Sequence, residues 1–498
     1  MRRFKLTFVI MILVTAISNV LGLVRELVLA NKYGASEIVD IYVISSNIPI
    51  ALSSIFIAAM VSPYIPISSK ITDEKELSSY TSGLLNFIII FISIIYIFLI
   101  VFTEEIVKFF ALGFTAEKLD NTVEMTKIML LGIYPVAIYM VLQNYLNLKE
   151  KFIGTAFIGV ILNFNWIIGI LCSTKDNLFP MGVWNVLGYV FVSIFIILLA
   201  FNNGFRYRFI LNIRNLEFQN TLKMFFPIFI GSLVIQFNGI VDRSLASLSG
   251  EGAIAILNYS SRLMYVISGL LIVTFITYIN PKLAILYNKK NFHFKESVTQ
   301  VINLLVILLL PIVLSTMLFA EGIVDILFNR GAFTEKDIYL TALCLKFYII
   351  CLIPFGIREL IHKVMYISNN TILSLLNNII FVGLNIILSI VAIKVFELNF
   401  VVLSLTIGVA YSIAMVLHLI TAYKKEILCM NRNNFKELLY IICINLISFL
   451  FGCFETVYFN KFNNLFILPM SLILYFFQYI VLIYLFRKRL TLNLLNSR

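Results

Sequence analysis

Charge is what this 498-residue chain has least of: Asp, Glu, Lys and Arg together make up 13% of it, about half the roughly 25% usual in a soluble domain. Its longest polar connections, around 202–218 and 423–436, are too short to bury a core, so no soluble domain fits. Histidine is nearly absent, and His293, His362 and His418 lie far apart in sequence, which removes the basis for a metal site. The six cysteines, Cys172, Cys344, Cys351, Cys429, Cys443 and Cys453, lack Cys-x-x-Cys spacing and read as packing residues. No glycine loop ending in Lys-Ser or Lys-Thr occurs, so nucleotide hydrolysis is not expected.

What fills the chain instead is apolar: 61% hydrophobic residues and a mean hydropathy of +0.98. Runs long enough to span a bilayer, roughly 17–25 residues each, fall at 7–31, 38–67, 79–102, 122–147, 152–173, 179–201, 220–248, 252–287, 297–320, 338–366, 371–393, 398–422, 437–457 and 464–486. The expected fold is therefore an all-α polytopic membrane protein of about fourteen transmembrane helices. Pro49, Pro63, Pro66, Pro227, Pro281 and Pro311 mark places for kinks. The first run, after Met1–Lys5, reads as a span and not as a cleaved leader, because no small-residue cleavage site follows it.

Basic residues crowd alternate connections, at Arg2 and Arg3, Lys149 and Lys151, Arg206, Arg208 and Arg214, Lys289 and Lys290, Lys424 and Lys425, and Arg487, Lys488 and Arg489. The opposite connections carry acids such as Glu104, Glu117, Glu251, Glu321 and Asp337. Short positively charged loops stay cytoplasmic, so both termini are expected there. The net charge of +12 is this topological signal spread over many loops, not a nucleic-acid surface.

A charged motif occurs twice inside apolar runs: Gly-Leu-Val-Arg-Glu at Gly22–Glu26 and Gly-Ile-Val-Asp-Arg at Gly239–Arg243, 217 positions apart. At the same offset Tyr42 meets Tyr259; a little further on the loop Gly113–Lys118 echoes Gly331–Lys336, and Pro135 then falls opposite Pro354. Such duplication predicts two pseudo-symmetric six-helix lobes, residues 1–218 and 219–430, with two extra helices and a basic tail in 431–498. Ionised groups kept at matching depths point to a transporter with a central polar site.

An ionised side chain at mid-membrane costs several kcal/mol, from about 2.5 upward, so it faces water, a partner or a substrate. Arg25, Arg243, Arg262 and Arg358 qualify, with Glu26, Asp40, Asp242 and Glu359. Arg262 lies about 10 residues into its run, roughly 15 Å from the end. Guanidinium forks suit a phosphate or pyrophosphate; Asn19, Ser53, Ser54, Gln236 and Asn258 could serve sugar hydroxyls. The bland alternatives are snorkelling for Arg25 and Arg243, an interface pair at Arg358 and Glu359, an ion pair of Arg262 with Asp40 or Asp242, and interhelical hydrogen bonds for the polar residues. Neighbours such as Arg25 and Glu26 lie about 100° apart on a helix, so each is expected to need a partner elsewhere.

Four segments together, Ser18–Glu26, Tyr33–Ala35 with Asp40, Ser261–Met264 and Leu327–Thr334, resemble the MurJ (MviN) family, lipid II flippases of bacterial peptidoglycan synthesis within the multidrug/oligosaccharidyl-lipid/polysaccharide exporter superfamily. The resemblance implies an arginine-bearing central cavity for the pyrophosphate and sugars and a groove by the last two helices for the polyprenyl tail; Arg25 and Arg262, with Arg243 assisting, are expected to engage the pyrophosphate, while Asp40, Asp242 and Glu26 hold the arginines or exchange partners as the lobes rock. It implies no cofactor, with sodium or the membrane potential as driving force, a bacterial cytoplasmic membrane location, and lipid-linked glycan, membrane lipids and cell-wall synthases as partners. A sodium site would fall on Asp242, Asn385 and Thr406, with Ser389 where a second acid is expected. Asn19, Ser53-Ser54 and Ala58 stand where the family carries further arginines and an acid, which thins the cationic lining. The leading expectation is a lipid II flippase working by alternating access, not an enzyme. The rivals are a flippase for capsule or O-antigen oligosaccharides, a cation-coupled drug exporter, and a membrane glycan polymerase, which would need a larger extracytoplasmic loop.

Overall fold

A computed structural model describes residues 2–211, 216–288, 294–368, 370–429, 432–459 and 467–486. Among them the secondary structure is helical. The first repeat copy forms α1 (Arg2–Tyr33), α2 (Glu37–Val61), α3 (Tyr64–Ser68), α4 (Glu74–Val101), α5 (Thr103–Phe110), α6 (Ala116–Leu130), α7 (Ile133–Leu148), α8 (Phe152–Ala156), α9 (Ile158–Cys172) and α10 (Phe179–Asn202). The second forms α11 (Leu216–Ser247), α12 (Ala253–Ser268), α13 (Thr274–Asn288), α14 (Phe294–Phe328), α15 (Glu335–Ile350), α16 (Leu352–Ile367), α17 (Thr371–Ile390) and α18 (Val402–Lys424). Beyond it lie α19 (Arg432–Phe459) and α20 (Ile467–Phe486).

Among the described residues twelve helical segments are long and apolar enough to span, and the pair α6 and α7, bent by 41°, supplies a thirteenth. The shorter apolar helix 469–485 lies where the fourteenth run was read. Arg214, Lys289, Lys290 and the tail Arg487, Lys488 and Arg489 lie outside the described residues.

The duplication is visible in where helices break. Pro135 is the third residue of α7 and Pro354 the third of α16. Proline is tolerated in a first turn, where its missing N–H has no intrahelical role. One helix earlier, Thr115 and Thr334 stand at the N-caps of α6 and α15 with extended ψ of 165° and 164°. Thr334 completes a reciprocal cap: its hydroxyl accepts the Asp337 N–H at 3.3 Å and the Asp337 carboxylate accepts the Thr334 N–H at 2.9 Å.

Packing divides the chain into two compact units, residues 1–255 with 330–333, and residues 256–329 with 334–498. In the first, α2 packs on α6 and α11, α7 on α4 and α10, and α9 on α1 and α10. Its core includes Phe56, Met60, Tyr64, Leu84, Ile88, Val141 and Val192. The Tyr64 and Tyr80 hydroxyls inside it meet the Thr81 and Thr221 hydroxyls, each at 2.7 Å, which satisfies polar groups that lipid cannot. In the second unit, α14 packs on α15, α16 and α19, and α18 on α15, α16 and α17, around Ile272, Leu305, Leu309, Leu360 and Val364. Large apolar side chains such as Ile94, Ile97 and Phe98 of α4 are exposed, as expected where the surrounding solvent is hydrocarbon.

Candidate functional site

Arg25 sits two turns before the end of α1, with its side chain 14% exposed, and turns onto α9, where Cζ lies 4.8 Å from the Trp166 ring centroid. Its Nε and Nη2 both donate to the Glu26 carboxylate. This corrects the expectation that the two need separate partners: the long arginine stem carries its fork back across the helix surface onto the adjacent acid. The Tyr42 and Tyr189 hydroxyls lie within electrostatic reach, and the Trp166 indole N–H donates to the Asn185 carbonyl at 3.2 Å. Glu26 of α1 and the Trp166 ring of α9 thus flank one guanidinium, of whose five N–H donors Glu26 engages two.

Asp40 is fully buried, one turn into α2. Its carboxylate accepts the Lys118 ammonium of α6 and the N–H groups of Gly252 and Ala255 at the start of α12, each at 2.9 Å. The expectation that Asp40 holds an arginine is therefore corrected: the acid pairs with a lysine and caps a helix whose first N–H groups have no partner within the helix. Lys118, 6% exposed, lies 4.2 Å from the Phe114 ring centroid. Sequence reasoning quoted it only as part of the repeated loop.

Around this junction each repeat copy touches the other within the first unit. The Ala332 N–H donates to the Asn31 carbonyl at 2.9 Å, and the Gly113 N–H to the Ser247 hydroxyl at 2.9 Å. Gly34 and Gly331 have φ of +63° and +61°, and a Cβ on either would run into the carbonyl of Ala332 or Asn31 respectively. Only glycine combines that backbone with that approach.

The remaining candidates of the first unit lie on α1, α2 and α11. Arg243, half-buried one turn from the end of α11, donates from Nη1 to the Gly239 carbonyl at 3.1 Å. Ser54 accepts from Gln236 at 3.0 Å, which joins two of the polar residues expected at the site. Ser53 is buried and donates to the Pro49 carbonyl of its own helix. Asn19 and Asp242 are half-buried.

In the second unit Arg262 is the tenth residue of α12 and half-buried. Asn385 and Ser389 are fully buried, and the Ser389 and Thr406 hydroxyls bond at 2.9 Å. Among the described residues no group of three or more His, Cys, Asp or Glu could hold a metal ion. Arg358, 5% exposed, donates from Nε to Asn377 at 3.1 Å and from Nη2 to Asn378, with Cζ 4.7 and 5.5 Å from the Phe381 and Tyr411 ring centroids.

The second unit also holds an apolar groove of about 440 Å³ between α14 and α20, lined by Leu304, Leu308, Pro311, Phe476 and Ile480, with Phe275 of α13 beside it. Pro311 lacks an N–H, so the Ile307 carbonyl one turn earlier loses its helical donor. The Tyr479 hydroxyl replaces it at 2.6 Å, pinning α20 to α14 along the groove.

A duplicated, all-helical set of membrane spans with ionised groups buried among them defines a polytopic transporter. The model of the family described as lipid II flippase MurJ matches residues 29–478, and the chain belongs to that family. A relative from Buchnera aphidicola subsp. Baizongia pistaciae, described as a probable lipid II flippase MurJ, is 29% identical over 72% of each chain. One from Thermotoga maritima with the same description is 27% identical over 71% of this chain and 72% of its own. A solved lipid II flippase MurJ in an inward closed conformation superposes with a TM-score of 0.83 at 25% identity, covering 96% of this chain and 99% of that one. An inward-facing multidrug resistance MATE family transporter of the MOP superfamily shares the fold, with a TM-score of 0.70 at 13% identity over 82% of this chain and 94% of its own.

Proposed function

We propose that this chain moves lipid II from the cytoplasmic to the outer leaflet by alternating access, with Arg25, Arg262 and Arg243 engaging the pyrophosphate. The observation that carries the reading is the family match across 29–478. Two features support it. Arg25 keeps donors beyond those given to Glu26, and the neighbouring acid is a partner that an arriving pyrophosphate can displace. The groove between α14 and α20 offers an apolar surface to a polyprenyl tail.

Both termini are cytoplasmic in this reading, following the loop charges. The membrane potential drives the cycle: two negative charges moving outward across the whole field gain about 4.6 kcal/mol per 100 mV of inside-negative potential. Sodium at Asp242, Asn385 and Thr406 is the alternative coupling, and a chemical sodium gradient imposed without a potential separates the two.

The test is complementation of a strain depleted of its lipid II flippase, paired with movement of lipid II in liposomes holding the purified chain. Growth rescue and transport are expected. Membrane expression without either would overturn the reading in favour of another lipid-linked glycan.

A further inference from the structure

The junction at Asp40 is unequal between the repeat copies. At the offset of the charged motif Asp40 falls opposite Leu257, and counted from the N-caps Thr115 and Thr334 Lys118 falls opposite Asp337, so the second copy has no acid where Asp40 stands and the pair is not repeated there. Its acid does two jobs, since the carboxylate that takes the Lys118 ammonium also takes two N–H groups at the start of α12. Without the ammonium, a fully buried carboxylate would keep only neutral donors and would be driven toward its protonated form, a poorer acceptor for those N–H groups.

We propose that Lys118 is a positioning residue of the transport cycle: its ammonium keeps Asp40 ionised and aimed at the N-terminus of α12, and this latch parts and re-forms as α12 moves. The helix it holds carries Arg262 further along, so releasing its first turn and shifting that arginine are one mechanical event. The inference rests on the transport reading above, but its structural half stands apart from it. A latch needs an acid facing α12 and a base behind it, in that order. A plain fastener between α2 and α6 needs only opposite charges.

Amide exchange of the full-length chain in lipid nanodiscs, read by mass spectrometry on peptides spanning 249–258, is measured beside lipid II movement in liposomes. In Lys118→Met both are expected to change by roughly tenfold or more, exchange faster and transport slower, because a buried pair loses one partner. Lys118→Arg keeps the charge and is expected to stay within about threefold of the parent in both. The reversal Asp40→Lys with Lys118→Asp restores opposite charges but turns an ammonium toward two N–H donors, so both deficits persist. Unchanged exchange in Lys118→Met, or recovery in the reversal, would overturn the proposal. If Lys118→Met does not fold, Lys118→Gln carries the same expectations. If the parent moves no lipid II, the transport reading falls while amide exchange still decides the latch.

Discussion

Each unit buries a guanidinium, and the two stabilise it by different chemistry. Arg25 in the first unit shares a carboxylate with its neighbour and leans on one indole. Arg358 in the second is boxed by two side-chain amides and two aromatic rings, Phe381 and Tyr411, which stack at 4.1 Å. An arriving anion can take the place of a carboxylate that the guanidinium binds directly; the side-chain amides and ring faces offer no such partner, and Glu359 acts on Arg358 only at a distance. The comparison separates an arginine able to change partners from one that fastens helices.

The helix breaks differ in the same way. In the first unit, the Pro49 region of α2 faces the α6–α7 break across a cavity of about 10 Å³ edged by Ser46, Ser53, Asn185 and Tyr189. In the second, the α15–α16 break is followed by Gly356, which lies against Leu309 and against Ile272 of the π-helical turn Gly269–Val273, all apolar. Duplication preserved the breaks while the chemistry around them diverged.

The sharpest way to break the comparison is to replace each arginine by methionine. Arg25→Met is expected to lower lipid II transport by about 100-fold or more, because it removes the pyrophosphate contact proposed above and strands the Glu26 carboxylate. Arg358→Met is expected to keep transport within about threefold while destabilising the fold by about 1–3 kcal/mol for each amide oxygen left without a donor. Transport in liposomes and thermal unfolding, measured on both variants, check this. Equal loss of transport would erase the distinction.

A smaller effect comes from the breaks. A Cβ at Gly132 meets the Met129 carbonyl at 3.0 Å and the Tyr189 ring at 3.2 Å, both hard to move, whereas at Gly356 it meets methyl ends of Leu309 and Ile272 at 3.0 and 3.2 Å. Gly132→Ala is expected to cost about 1–3 kcal/mol and Gly356→Ala less than about 1 kcal/mol. Unfolding midpoints of the two variants decide it.

The smallest effect tests where the units agree. Each ties helix ends with an exposed ion pair at 2.7 Å, Lys149 with Glu74 and Lys295 with Glu426. The hydrogen bond to Glu74 raises the Lys149 pKa, so its contribution is present below the ordinary lysine value and lost as pH rises through the raised one. Lys295 lowers the Glu426 pKa, so that contribution is present above the ordinary carboxylate value and lost as pH falls through the lowered one. Stability is therefore expected to be flat in these pairs between about pH 6 and 9, and Lys149→Gln or Lys295→Gln to shift the unfolding midpoint barely measurably.

Much of the fold was legible before any coordinates. Span positions, the two copies and the prolines at matching breaks came from runs of apolar residues and one repeated motif. The site was legible only as a set of residue types. Arg25, Glu26 and Asp40 stood out because ionised groups are rare in spans, yet their partners did not: Lys118 lies 78 positions from Asp40, and Gly252 more than 200. The Arg358 box draws on α17 and α18 through Asn377, Asn378, Phe381 and Tyr411, ordinary residues in apolar helices. The groove depends on a tyrosine answering a proline 168 positions away.

What the amino-acid order determined alone is that many apolar segments enter the bilayer and roughly where each lies, because partition between water and lipid acts on each segment by itself. Which base each buried acid meets, and whether an arginine is exchangeable or boxed, was decided only by tertiary structure. A hydrogen bond is settled within a few tenths of an ångström, and that depends on how neighbouring helices are rotated and broken against one another.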